Sequence, residues 1–170
     1  LLAADSAETL VEAVRQGRDR AWQAVSDPKP GTMLSLFDAL AEAVAETPAT
    51  FDGPWRNRVL RKLEAAVLAT PELLPKLKAA GVVDAGALGL FIFLEGFFHV
   101  LAGDGNGFRP IADVFKGYLK VSGAFAGEGE TGCCVDTVLK VEGEAGDAVR
   151  GLSRVGEGVV VLRDGEYLKV

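Results

Sequence analysis

Residues 81–90 read Gly-Val-Val-Asp-Ala-Gly-Ala-Leu-Gly-Leu, and this stretch decides how most of the chain is interpreted. Asp84 is a good N-cap residue, so the stretch predicts that a helix begins there. A glycine inside a helix costs up to about 1 kcal/mol, and three glycines fall within these residues. Such glycines usually permit close backbone approach, either to another helix or to a ligand. The residues alone favour neither explanation.

The helix that begins near Asp84 continues through an apolar stretch, residues 87–102. This stretch has 16 residues and contains Glu95 and His99. It is shorter than the roughly 20 residues that a transmembrane helix needs. We therefore predict a buried core helix and no transmembrane segment. His99 is predicted to be packed and hydrogen-bonded within that core.

Four more helices are predicted upstream, because apolar residues recur at helical spacing between breaks at proline and glycine. The first begins at Asp5 or Ser6 and is broken by residues 27–31, the second covers residues 32–46, the third follows Pro54, and the fourth covers residues 72–80.

The composition changes in the last part of the chain. Strands are predicted at residues 134–141 and 159–162, with a short helix at 144–154, a hairpin turn at 163–166 and a last strand at 167–170. The predicted fold class is therefore mainly α with a smaller α/β part, in which a β-α-β-β segment follows the helices. We predict a helical part over residues 1–102, a linker over 103–130, and the start of a mixed domain over 131–170.

Charge and composition exclude several function classes. The chain has 170 residues, 18 basic and 24 acidic, for a net charge of −6. An acidic chain lacks the charge needed to bind a nucleic-acid backbone unspecifically, so no nucleic-acid partner is predicted.

The two cysteines are adjacent and cannot readily bridge each other, which fits a cytoplasmic location. The start without methionine, inside an apolar stretch, leads us to expect a piece of a longer protein.

Pro30-Gly31-Thr32-Met33-Leu34 is a second candidate segment, where a Gly-Thr pair opens a helix. Backbone N–H groups at a helix start, together with a hydroxyl group, suit a phosphate. Thr32 is also an ordinary N-cap residue, so the segment alone leaves both interpretations open.

In combination, these segments resemble the C-terminal half of the nucleotide-binding (L-type) domain of dihydroxyacetone kinases. The resemblance runs from Pro30–Leu34 through Leu74–Leu90 to Leu94-Glu95-Gly96-Phe97, and its specific part is Val82–Gly86. Within that family the chain looks most like the bacterial fatty acid kinase A subunit. Gly132-Cys133-Cys134-Val135-Asp136 is similar to the stretch that opens the family's middle domain, and residues 167–170 look like a strand that continues into His-Val-His.

The resemblance implies a barrel of antiparallel helices with ATP at one end, of which residues 1–102 form a partial barrel. The nucleotide would be held by Gly31, Thr32, Met33, Asp84 and Gly86. Magnesium would be held by an Asp-Gly-Asp-rich motif upstream of Leu1, so no catalytic residue is expected in this chain. Cys134 matches a metal ligand of the middle domain, which implies Zn2+ with the remaining ligands past Val170.

Two functional classes follow from the resemblance. The first is part of an ATP-dependent kinase subunit, which phosphorylates a fatty acid carried by a partner fatty-acid-binding protein, or dihydroxyacetone. The alternative is a non-catalytic helical scaffold or regulatory subunit. A partial barrel also needs cover for its inward side chains, so we expect a homo-oligomer in which another copy covers Phe37, Leu40, Leu63 and Phe93.

Overall fold

The computed structural model describes residues 4–25, 27–46, 50–103, 105, 107–125, 135–141, 146–152, 154, 156 and 159–170. The chain is mainly helical with a small three-stranded antiparallel sheet, which confirms the predicted fold class. It divides into a helical unit, Leu1–Ala126, and a sheet unit, Gly127–Val170. The elements of the helical unit are α1 (Ala4–Ala24), α2 (Met33–Glu46), α3 (Gly53–Leu73), α4 (Pro75–Ala80), α5 (Ala85–Leu101) and α6 (Ile111–Val114).

The core of the helical unit forms where α2, α3 and α5 meet. Trp55, Val59, Leu63 and Val67 repeat every four residues along α3, so they share one face, and all are fully buried. They pack with buried side chains of the two neighbouring helices, which are Leu36, Leu40 and Val44 on α2, and Phe91, Leu94 and Phe98 on α5. Burial of each such side chain is worth about 1.5–3 kcal/mol, which makes this three-helix contact the main source of stability.

The boundary between α3 and α4 differs from the prediction. Glu72 and Leu73 belong to α3 rather than α4, and α3 ends at Leu74, whose backbone is extended. Pro75 then opens α4. The residue before a proline is disfavoured in the helical conformation, which explains why the break falls at Leu74.

Residues 107–125 (the returning segment) were predicted to be part of the linker over 103–130, but they pack on the helical unit. Phe115 is fully buried, and its ring meets the ring of Phe91 edge to face, with centroids 5.3 Å apart. The backbone N–H of Ser122 donates to the carbonyl of Ala80 at 2.8 Å. One buried aromatic side chain and backbone pairing therefore fix a segment whose glycines suggested an irregular connection.

The sheet unit contains β1 (Val138–Lys140), α7 (Gly146–Leu152), β2 (Leu162–Asp164) and β3 (Tyr167–Lys169). The predicted β-α-β-β order is confirmed. Both pairings are antiparallel, with β3 between β1 and β2. The tight turn between β2 and β3 contains Gly165 with φ +57°, which glycine adopts without strain. Leu168 on the central strand is buried.

One face of α5 is apolar but uncovered. Among the predicted inward residues, Leu40 and Leu63 are buried by neighbouring helices of this same chain, so they need no other cover. Phe93 is 68% exposed and Val100 is 76% exposed. Ile92 and Phe97 extend the same uncovered face.

Of the helices in the described residues, none combines the length and apolar character required to cross a membrane.

Candidate functional site

The N-terminal ends of α2 and α5 come together in the helical unit. A Cβ atom placed on Gly86 would lie 3.2 Å from Met33 Cε and 3.2 Å from Asp84 Oδ1. Met33, Asp84 and Gly86 are therefore neighbours, although Met33 is far from the other two in sequence. A side chain at Gly86 would require one of these atoms to shift by a few tenths of an ångström, so the lack of a Cβ permits this close approach of the two helix ends.

The start of α2 is fixed by two side-chain hydroxyl groups. The Thr32 hydroxyl accepts a hydrogen bond from the Leu34 N–H at 3.3 Å and donates to the Lys29 carbonyl at 2.9 Å. The Gly31 N–H donates to the Ser35 hydroxyl at 2.8 Å. Thr32 therefore acts as a helix cap, which is the ordinary role that the sequence left open beside phosphate binding.

The start of α5 is fixed by Asp84 and Thr70. Asp84 Oδ1 accepts from the Ala87 N–H at 2.7 Å, which confirms the predicted N-cap. The Asp84 N–H donates to the Thr70 hydroxyl at 2.9 Å, and that hydroxyl donates to the Val67 carbonyl at 2.7 Å. Thr70 is buried and was missed in the sequence, because a threonine inside a helix has no local signature of such a role.

The returning segment also holds the residues immediately before α5. The Val83 N–H donates to the carbonyl of Tyr118 at 3.2 Å. Val83 is buried, and it is the residue immediately before Asp84. The position of the Asp84 cap therefore depends on α3, through Thr70, and on residues that were predicted to be a linker.

The converging helix ends present unused hydrogen-bond donors. Within the described part of the chain, the backbone N–H groups of Met33, Ala85 and Gly86 donate to no acceptor. The first N–H groups of a helix lack partners inside it, and they carry the positive end of the helix dipole. Two helices, of 14 and 17 residues, begin here with their N-termini close together. The arrangement can hold an anionic group such as a phosphate.

Gly31→Ala is expected to destabilise the helical unit by about 2 kcal/mol, because a left-handed backbone costs a residue with a Cβ about 1–2 kcal/mol. Gly31 has φ +85°, and its added Cβ would lie 2.8 Å from Leu73 Cβ. Gly17→Ala is the control, since it lies inside α1 with nothing within 4 Å of an added Cβ. The control should be neutral or stabilising in urea unfolding, and equal losses for both variants would contradict the steric argument.

The metal site predicted at Cys134 lies outside the described residues, and its role stays a prediction. In the portion of the chain that the structure describes, no group of three or more His, Cys, Asp or Glu side chains is close enough to hold a metal ion.

His99 is buried, as predicted, with Nδ1 3.3 Å from Arg56 Nη1 and its ring stacked on Phe108.

The chain matches the DAK2 domain family model over residues 3–99, and it belongs to this dihydroxyacetone kinase-like family. It is 29% identical over 175 residues to Protein YloV of Bacillus subtilis, covering 93% of this chain and 31% of that protein. It is 31% identical over 140 residues to protein MG369 of Mycoplasma genitalium, covering 80% of this chain and 25% of that protein. The chain spans less than a third of the length of these relatives.

Proposed function

We propose that this chain supplies part of the nucleotide site of an ATP-dependent kinase subunit. The observation that carries the proposal is the convergence of two helix N-termini with free N–H donors at Met33, Ala85 and Gly86. These donors would bind phosphate oxygens of the nucleotide. Thr32 and Asp84 would fix the helix ends that present them, and Gly31 and Gly86 would allow the close packing that this geometry needs.

The residues present fit part of an ATP–magnesium complex. The N–H donors suit phosphate oxygens, and Asp84 has one carboxylate oxygen, Oδ2, with no donor among the described residues. Magnesium, when bound, neutralises the charge of the phosphoryl group in transfer. Its ligands are expected upstream of Leu1. The 170-residue chain alone is therefore expected to show no kinase turnover.

The uncovered face of α5 supports a larger barrel. A helix that is apolar all round is normally buried on all sides, yet Phe93 and Val100 are mostly exposed. Cβ atoms added at Gly89 and Gly96 would meet nothing within 4 Å, so a further helix could approach this face closely. We propose that helices from the remaining length of the full protein cover it and complete the barrel. A second copy of the chain is the other candidate.

The acceptor of the phosphoryl group is proposed to be a fatty acid held by a partner fatty-acid-binding protein, or dihydroxyacetone. A non-catalytic scaffold on the same fold is the second candidate.

The test uses the full-length protein with ATP and magnesium. Phosphoryl transfer is measured to a fatty acid, with and without its binding protein, and in parallel to dihydroxyacetone. Turnover of one acceptor that is lost with Gly86→Val would support the proposal, because the valine side chain would crowd Met33 and Asp84 at the converging helix ends. Full-length protein that binds no ATP, or turnover unaffected by Gly86→Val, would overturn it.

A further inference from the structure

A shallow pocket of about 350 Å3 lies between α2 and α3, away from the candidate nucleotide site. It is lined by Ala43, Glu46, Arg58, Arg61, Lys62 and Ala65 (the basic pocket). Ala43 is ten residues along α2 from Met33, which places the pocket about 15 Å from that helix end at 1.5 Å per residue. The basic pocket therefore does not include the N–H donors of the candidate nucleotide site.

The basic pocket is a local exception in an acidic chain. Residues 56–62 contain four basic residues and no acidic one, whereas the whole chain has a net charge of −6. Arg58, Arg61 and Lys62 have the spacing that places side chains on one side of a helix. The pocket lining contains three cations and one carboxylate, so it is positive overall.

Two of the three cations are available to a ligand. Lys62 is paired with Glu46 across the pocket. Arg58 and Arg61 form no hydrogen bond or ion pair with any residue in the described ranges. The pKa of Asp52 is lowered chiefly by the hydrogen bond from the Trp55 N–H and to a smaller extent by the charge of Arg58. Arg58 therefore interacts electrostatically with Asp52, but within the described ranges neither guanidinium group is held in a hydrogen bond or an ion pair.

We infer that the basic pocket binds an organic phosphate, a phosphate monoester with a small apolar body. Guanidinium groups bind phosphate through paired hydrogen bonds, and two of them match the charge of a phosphate dianion. The two other lining residues are Ala43, which is buried, and Ala65, which is exposed and supplies the apolar surface of the pocket. The volume is at the lower end of small-molecule sites, which usually occupy about 300–1,000 Å3.

The experiment titrates the full-length protein with phenyl phosphate and, separately, with inorganic phosphate, and measures heat of binding. Phenyl phosphate should bind at one saturable site, more tightly than inorganic phosphate. Arg58→Gln and Arg61→Gln should each weaken binding of phenyl phosphate at least tenfold. Ala65→Leu, which fills the pocket and keeps its charges, should also weaken it. Thermal unfolding of each variant verifies that it is folded.

Arg20→Ala is the matched control, because Arg20 is an exposed arginine on α1 outside the pocket. Its affinity for phenyl phosphate should equal that of the unmodified protein. The inference is overturned by an absence of saturable binding, by binding that survives both arginine substitutions, or by equal weakening in the Arg20 control. If phenyl phosphate and inorganic phosphate bind equally tightly, and Ala65→Leu has no effect, the assignment of an apolar body to the ligand is overturned.

Discussion

Trp55→Ala is expected to lower the free energy of unfolding of the helical unit by about 4 kcal/mol, within the usual range of about 3–5 kcal/mol for loss of a large buried aromatic side chain. Trp55 has no exposed surface, and its ring meets Phe51 and Phe98 edge to face, with centroids 5.3 and 5.4 Å away. The alanine variant leaves a cavity where α3 contacts α5. Urea unfolding of the full-length protein, followed by circular dichroism, measures the loss.

Trp55→Phe separates the packing of the ring from its polar group. The indole Nε1 is buried, and among the described residues it has no hydrogen-bond partner. Phenylalanine keeps most of the aromatic contact. It also removes the unsatisfied donor, whose burial costs about 1–3 kcal/mol. The free energy of unfolding should therefore fall by only about 1 kcal/mol. Equal losses for Trp55→Phe and Trp55→Ala would contradict this account, because phenylalanine retains most of the aromatic packing that alanine removes.

The helices could be predicted from the sequence because their signals are local. Apolar periodicity and the break at residues 27–31 predicted α1 and α2, and the cap at Asp84 predicted the start of α5. The returning segment could not be predicted in the same way. Phe115 becomes buried through its contact with Phe91, which is distant in sequence, and no periodic pattern surrounds it. Its glycines suggested a linker, whereas its stability depends on tertiary packing.

The candidate site was predictable in part. The capping role of Asp84 follows from residue type and position, and the structure confirms it. The approach of Met33 to Gly86 follows from the packing of α2 against α5, which a single sequence does not specify. Thr70 was missed because its hydroxyl acts on a loop fourteen residues away. Nucleotide binding by these residues stays a prediction from the family resemblance.

Asp84→Asn is expected to lower kinase activity of the full-length protein by about tenfold or more, a rise of about 1.4 kcal/mol in the barrier. Asparagine caps a helix about as well as aspartate, so stability should stay within about 0.5 kcal/mol. In the proposed site, Oδ1 caps α5 and Oδ2 is open to a hydrogen-bond donor of the nucleotide or of a metal-bound water. Loss of the negative charge weakens that second contact. Asp84→Ser, which also caps, should lose activity in the same way.

Asp52→Asn is the matched control for this prediction. Asp52 caps α3 through the same kind of hydrogen bond, since its Oδ1 accepts from the N–H of Trp55, three residues on, at 2.7 Å, but it lies outside the candidate site. Steady-state rates and unfolding curves of the Asp52 and Asp84 variants are compared in one buffer. If both Asp84 variants keep full activity and stability, Asp84 only caps α5. If they lose stability and activity together, Asp84 belongs to a buried polar network with Thr70. A selective loss of activity at Asp84, absent at Asp52, would assign its carboxylate to the nucleotide.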